Sequence, residues 1–168
     1  AKLAERPANT ATSPRLAAVG TPDNWTGWTA AATGVNGQIA LIYTVPPSRG
    51  ATSVLTLYQD GAPTKTLTSP GPSGGARTYT VTKQTNGVNH SYYLEVCNEA
   101  KRCSRATPHT VSSFGPLSPP KITSATVSGT RIDAKASANG NGRKATLTLS
   151  IGGRVVDTAS GTGSIKVS

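Results

Sequence analysis

The 168-residue sequence has no methionine, one phenylalanine, two tryptophans, two cysteines and two histidines. Acidic residues are scarce as well, with 7 Asp plus Glu against 17 Lys plus Arg, a formal net charge of +10. Charged residues make up only 14% of the sequence, too few for a disordered charged tail. His90 and His109 as the sole imidazoles, and scattered carboxylates, give little material for acid–base catalysis or a metal site. Glu95 and Glu99 are the one carboxylate pair expected on a shared hairpin. There is no G-x-S-x-G elbow, no H-E-x-x-H pair and no P-loop, so the sequence points away from an enzyme and implies no cofactor. No apolar run approaches the ~20 residues of a membrane helix, so no insertion into a bilayer is expected. A sequence that starts at Ala1 and lacks Met reads as a processed or excised piece of a longer protein.

What is abundant is Ser and Thr, about a quarter of the residues, punctuated by 18 Gly and 12 Pro. Short Thr-, Val- and Tyr-rich runs with an alternation of two predict an all-β fold. Strands are expected at Trp28 to Thr33, Gln38 to Val45, Ser53 to Gln59, Thr64 to Thr68, Arg77 to Thr82, Ser91 to Asn98 and Ala106 to Val111. Between them stand turn signals such as Asn36-Gly37, Asp60-Gly61 and Asn86-Gly87. Seven short strands with no helical pattern among them predict a β-sandwich over 25–113. Residues 1–24 lack periodicity and read as a linker or the tail of an upstream module. The Pro-rich stretch 114–120 reads as a second linker, because proline cannot donate to a sheet ladder.

Beyond that linker the sequence repeats itself. SRGATSVLTLYQDG (48–61) recurs as NGRKATLTLSIGG (141–153), and RTYTVT (77–82) as GSIKVS (163–168). TAAATGVNGQIALIYTV (29–45) likewise parallels TSATVSGTRIDAKAS (123–137). Matches in the same order indicate tandem modules. Residues 121–168 then form a truncated second module, short of its last two strands by about 30 residues. An open sheet edge is the expected consequence, and the second half is either loosely held or completed by another polypeptide.

IALIYTVPPSRGATSVLTLYQDG and SYYLEVCNEAKRCS resemble fibronectin type III modules. Tyr43 stands where that family usually has a Trp, Pro46-Pro47 match its turn after strand B, and Asn98 matches its strand-F Asn. The Cys97…Cys103 hairpin and the Asn-Gly-Arg of the second copy are similar to those of tandem modules in actinobacterial surface proteins. These include bifidobacterial proteins encoded beside a serine/threonine kinase, whose modules are thought to meet host proteins. The resemblance implies tandem immunoglobulin-like sandwiches, the second incomplete, in a cell-surface or extracellular setting.

The residues themselves offer two candidate regions. Alternation puts Tyr92, Leu94 and Val96 on one face and Tyr93, Glu95 and Cys97 on the other. Cys97 and Cys103 then face each other across a hairpin, close enough for a disulfide and without the further ligands a metal needs. Such a bond implies an oxidising, exported location. Lys101, Arg102 and Arg105 at or beside the hairpin tip are either a solvated turn or a preorganised ligand contact. Trp25-Thr26-Gly27-Trp28-Thr29 resembles the Trp-Ser-x-Trp-Ser box of class I cytokine receptors, although it precedes strand B instead of the last strand. The simpler reading is that one Trp fills the core and the other covers an edge.

The basic surplus is densest at 121–168, where seven Lys and Arg face Asp133 and Asp157. Without aromatic stacking motifs it does not indicate nucleic-acid binding. The expected function is a non-enzymatic binding module for an extracellular, host-derived protein such as a cytokine. The alternative is a spacer held by charge to anionic cell-wall polymers or glycans.

Overall fold

A computed structural model describes residues 18–168. Most of the expected leading segment, residues 1–17, therefore lies outside the described residues. The first unit contains β1 (Gly27–Ala32), β2 (Ile39–Val45), β3 (Ser53–Gln59), β4 (Ala62–Leu67), β5 (Gly75–Val81), β6 (Asn89–Asn98), β7 (Cys103–Arg105) and β8 (His109–Ser112). They form two antiparallel sheets, β1-β2-β5 and β4-β3-β6-β7, with β8 continuing along β6. Period-two alternation turns Ile39, Leu41, Tyr43 and Val45 of one sheet toward Leu55, Leu57, Tyr92, Leu94 and Val96 of the other. This is an immunoglobulin-like sandwich of the fibronectin type III kind.

Tyr43 is buried in that core, and desolvation raises its pKa. Tyr92 is fully buried and donates to Gln84 Oε1 at 3.0 Å, and burial pushes its pKa up to about 12.

The last strand departs from expectation. In place of one run over 106–111, β7 pairs Arg105 with Glu95, and β8 resumes pairing at His109 with Tyr92. One extra residue is thus accommodated around Ala106–Pro108, where Pro108 has no N–H to offer the ladder. Ala106 still donates its N–H to the Leu94 carbonyl at 2.8 Å.

The second unit contains β9 (Lys121–Ser128), β10 (Arg131–Asn139), β11 (Ala145–Ile151), β12 (Arg154–Gly161) and β13 (Ser164–Val167), arranged as β13-β10-β9 and β11-β12. These match β1 to β5 of the first unit closely. Asp60-Gly61 and Gly152-Gly153 both take positive φ in the turn after the third strand. The register shifts after Leu57 in one copy and after Leu149 in the other. Leu147, Leu149, Ile165 and Val167 fill a smaller core. Whereas β3 is paired on both edges, β11 pairs only β12 among the described residues. Ile122, Val127, Ile132, Val155 and Val156 are left exposed around this open sandwich.

The connection between the units is ordered by backbone bonds. Gly115 N–H donates to the Asn141 carbonyl (2.9 Å) and Ser118 N–H to the Asn139 carbonyl (3.0 Å). The repeat extends to this contact. At the opposite end of the first unit, Gly20 N–H donates to Arg49 (3.2 Å) and Asp23 N–H to Pro47 (3.0 Å). Arg49 and Asn141 occupy equivalent positions and share a left-handed φ, 57° and 50°. Residues 18–24 therefore approach the first unit as residues 113–120 approach the second.

Candidate functional site

The expected hairpin is built around Cys97 and Cys103, which are directly opposed across β6 and β7 and joined by a disulfide. Glu95 lies beside both sulfurs, but bonding to each other leaves neither as a thiolate to hold a metal. Inside the loop, Asn98 donates through Nδ2 to the carbonyls of Gly20 (2.7 Å) and Ser48 (2.9 Å). Its Oδ1 accepts the N–H of Ala100 and of Arg102, both at 3.2 Å. Glu99 accepts the N–H groups of Ala51 (2.8 Å) and Thr52 (3.1 Å), which hold its carboxyl below the usual glutamate range. Lys101 sits at the turn with φ 56°.

The hairpin tip is thus fixed from three sides, while Lys101 and Arg102 stay exposed and without an ion-pair partner among the described residues. Ordering the loop in advance lowers the entropic cost of any contact those cations make. Closing so short a loop stabilises by about 2 kcal/mol through conformational entropy. Cys97→Ser plus Cys103→Ser is therefore expected to lower stability by about that amount, read as a lower midpoint in urea titration. An unchanged midpoint would show that the bond contributes nothing to folding.

Arg105 belongs to a different surface. Its guanidinium donates twice to Glu95 Oε2 (3.0 and 3.1 Å) and lies over the rings of Tyr93 (4.8 Å) and Tyr58 (5.8 Å). The two tyrosines stack at 4.6 Å, and the Tyr58 hydroxyl donates to Glu95 Oε1 at 3.1 Å, which raises the Tyr58 pKa. Glu95 and Glu99 are thus engaged with different groups, Glu95 with Tyr58 and Arg105 and Glu99 with the backbone of Ala51 and Thr52.

The tryptophans meet Arg105 at the seam between the sheets. Trp25 Nε1 donates to the Ser104 carbonyl (3.0 Å) and Trp28 Nε1 to the Thr107 carbonyl (2.6 Å). Neither ring is buried in the core, contrary to the simpler expectation. Both are half-buried, because each must keep its indole N–H at the carbonyls of the irregular last strand. Trp28 also meets His109 edge to face at 5.1 Å. Trp25, Trp28, Arg105 and His109 line an open groove of about 370 Å³.

The structure therefore brings Arg105, Trp25 and Trp28 together and leaves Lys101 and Arg102 on the hairpin tip. Sequence reasoning passed over Tyr58, although it faces Tyr93 directly across β3 and β6. The His90 ring is half-buried against Asp60 Oδ2 at 2.7 Å. The Ser91 N–H first, and His90 second, lower the Asp60 pKa.

No protein-family model and no curated protein sequence matches the protein. Among solved structures it is similar to the crystal structure of chicken CNTN1 FN1-FN3 domains, at 12% identity and a TM-score of 0.39 over 88% of its length. The match spans 58% of that structure's own length. The fold assignment rests on the strand order and register described above, which place the first unit among fibronectin type III-like sandwiches.

Proposed function

We propose that this protein is a non-enzymatic protein-binding segment of an exported, actinobacterial-like cell-surface protein, and that its partner is an extracellular host protein such as a cytokine. The observation that carries the reading is the hairpin tip. Two exposed cations, Lys101 and Arg102, with no ion-pair partner among the described residues, stand on a loop held by a disulfide, a buried Asn and a bound carboxylate. The disulfide supports an extracellular setting. No helix among the described residues is long and apolar enough to cross a membrane. Arg105 and the Trp25/Trp28 groove add a second surface with the aromatic and Arg chemistry enriched at interfaces.

A spacer that holds to anionic wall polymers is the second reading. The seven cations against two carboxylates in 121–168, and the ordered connection between units, favour it. Titration against candidate host proteins and wall glycans, at low and high salt, separates the two. Saturable affinity for one protein, weakened at least about tenfold by Lys101→Ala plus Arg102→Ala, supports the first. Salt-labile binding to every polyanion, indifferent to that double substitution, supports the spacer.

A further inference from the structure

Four Asn-Gly dipeptides occur in the sequence: Asn36-Gly37, Asn86-Gly87, Asn139-Gly140 and Asn141-Gly142. They come from three loops, yet all four meet where the two units join. Asn36 Oδ1 accepts from Asn86 Nδ2 (3.0 Å) and from Asn141 Nδ2 (2.7 Å), a pair 105 residues apart. Asn86 Nδ2 also donates to Asn141 Oδ1 at 2.7 Å, and Asn141 Nδ2 donates to the Pro116 carbonyl at 3.0 Å. Asn86 Oδ1 accepts from Gly37 N–H (2.9 Å) and Ser113 Oγ (3.0 Å). Asn139 Oδ1 accepts the Asn141 N–H at 2.7 Å. Arg143, the cation of this loop, lies over the Phe114 ring at 4.2 Å.

We propose that this junction is a modification site, a carboxamide lock gated by deamidation. Docked, it shields its Asn-Gly pairs, and once opened, a single deamidation prevents it from closing again.

The chemistry needs only water. The glycine nitrogen, having lost its proton to solvent, attacks the preceding Asn Cγ and forms a new C–N bond. The bond from Cγ to Nδ2 breaks, and Nδ2 leaves as ammonia after taking up a proton. Water then adds to one carbonyl of the resulting cyclic imide and opens it to aspartate or isoaspartate. Glycine favours the attack because no Cβ shields its nitrogen.

In the docked junction each nucleophile is engaged. Gly87 N–H donates to Ser113 (2.9 Å), Gly142 N–H to Thr162 (2.8 Å) and Gly140 N–H to Gly163 (2.9 Å), while Gly37 N–H holds Asn86 Oδ1. The carboxamides of Asn36, Asn86 and Asn141 are held by one another, so rotation toward the following nitrogen requires the junction to open. Opening exposes them at a rate set by the open population.

The product does not fit. A carboxylate at 141 loses the N–H groups that satisfy Asn36 Oδ1 and Pro116 O, and sets anionic oxygen against both. A carboxylate at 86 likewise faces Asn36 Oδ1 and Asn141 Oδ1 with no donor. Isoaspartate at 141 also inserts its own Cβ into the backbone just before Gly142, a residue packed without spare room. There even an added Cβ would come within 2.8 Å of the Gly87 nitrogen and 2.9 Å of the Ser113 oxygen.

The test is peptide mapping of the full-length protein after incubation in mildly alkaline buffer, scoring aspartate and isoaspartate at each site by mass spectrometry. Deamidation at Asn86 and Asn141 is expected to be at least about tenfold slower in native than in urea-unfolded protein. Asn36→Ala, which removes the shared acceptor, is expected to accelerate both sites several-fold while the tryptophan-monitored melt of the first unit holds. Equal rates in native and unfolded protein, or no acceleration in Asn36→Ala, would overturn the shielding. Deamidated protein separated by ion exchange should show a broader distribution of inter-unit distances in solution scattering, and an unchanged profile would overturn the lock.

Discussion

Leu94→Ala is expected to destabilise the first unit by about 3 kcal/mol or more and lower its melting temperature by about 10–20 °C. Leu94 is fully buried, opposite Leu57 on the neighbouring strand, and its carbonyl holds Ala106 where the last strand breaks. Truncation loses the transfer free energy of the side chain and leaves a cavity. Sheets hydrogen-bonded on both sides of it cannot collapse fully to fill that space. Against a total stability of about 5–15 kcal/mol for a small domain, this is a large fraction.

Ile42→Ala is the control. It is as large a change of an aliphatic residue, but Ile42 is 58% exposed on the outer face of β2, and the expected loss is within about 0.5 kcal/mol. Both tryptophans lie in the first unit, so thermal melts followed by their fluorescence report it directly. Equal losses for the two substitutions would mean that the inward and outward faces had been confused.

That contrast was legible because strand alternation is a local property. The inward faces of β2, β3 and β6 follow from every second residue being apolar, and the Cys97–Cys103 pairing follows from the same count carried around a short turn. The tandem repeat was equally local. It transferred the turn at Asp60-Gly61 onto Gly152-Gly153 and the two leucines of β3 onto Leu147 and Leu149.

What the sequence concealed depends on where loops meet. Pro108 was visible, but the extra residue it forces into the last strand shows only through the partners on β6. One tryptophan was expected in the core and the other over an edge, yet an indole N–H needs an acceptor, and the carbonyls of the broken last strand supply one at each position. Asn36 and Asn86 each read as a turn residue, because carboxamides favour turns wherever they stand, and Asn141 entered only through the repeat. Their meeting requires the stacking of two units. Tyr58 and Arg105 reach the same patch from strands on opposite sides of β6, so no short window contains both.

Asn98 joins fold to function, and its substitutions have effects that differ in kind. Its side chain has two donors and an acceptor with two lone pairs, and all are used. Asn98→Leu keeps the size but strands the carbonyls of Gly20 and Ser48 and the two turn N–H groups, at an expected cost of about 2–4 kcal/mol. Asn98→Asp keeps both acceptor contacts and replaces the donor with an anionic oxygen aimed at two carbonyls in a site only 5% exposed. Burial and that repulsion raise the folded-state pKa of the new carboxyl above its unfolded value. With a raised pKa the folded state binds the proton more tightly, so stability falls as pH rises through the unfolded value and recovers on acidification. The melting temperature of Asn98→Asp relative to the parent should therefore improve as pH is lowered toward about 4, while that of Asn98→Leu stays at a constant deficit. Parallel pH profiles for the two would show that the Nδ2 bonds do not form. Both variants retain Lys101 and Arg102, so loss of partner binding in the still-folded protein would assign the effect to the ordering of the hairpin and not to its charge.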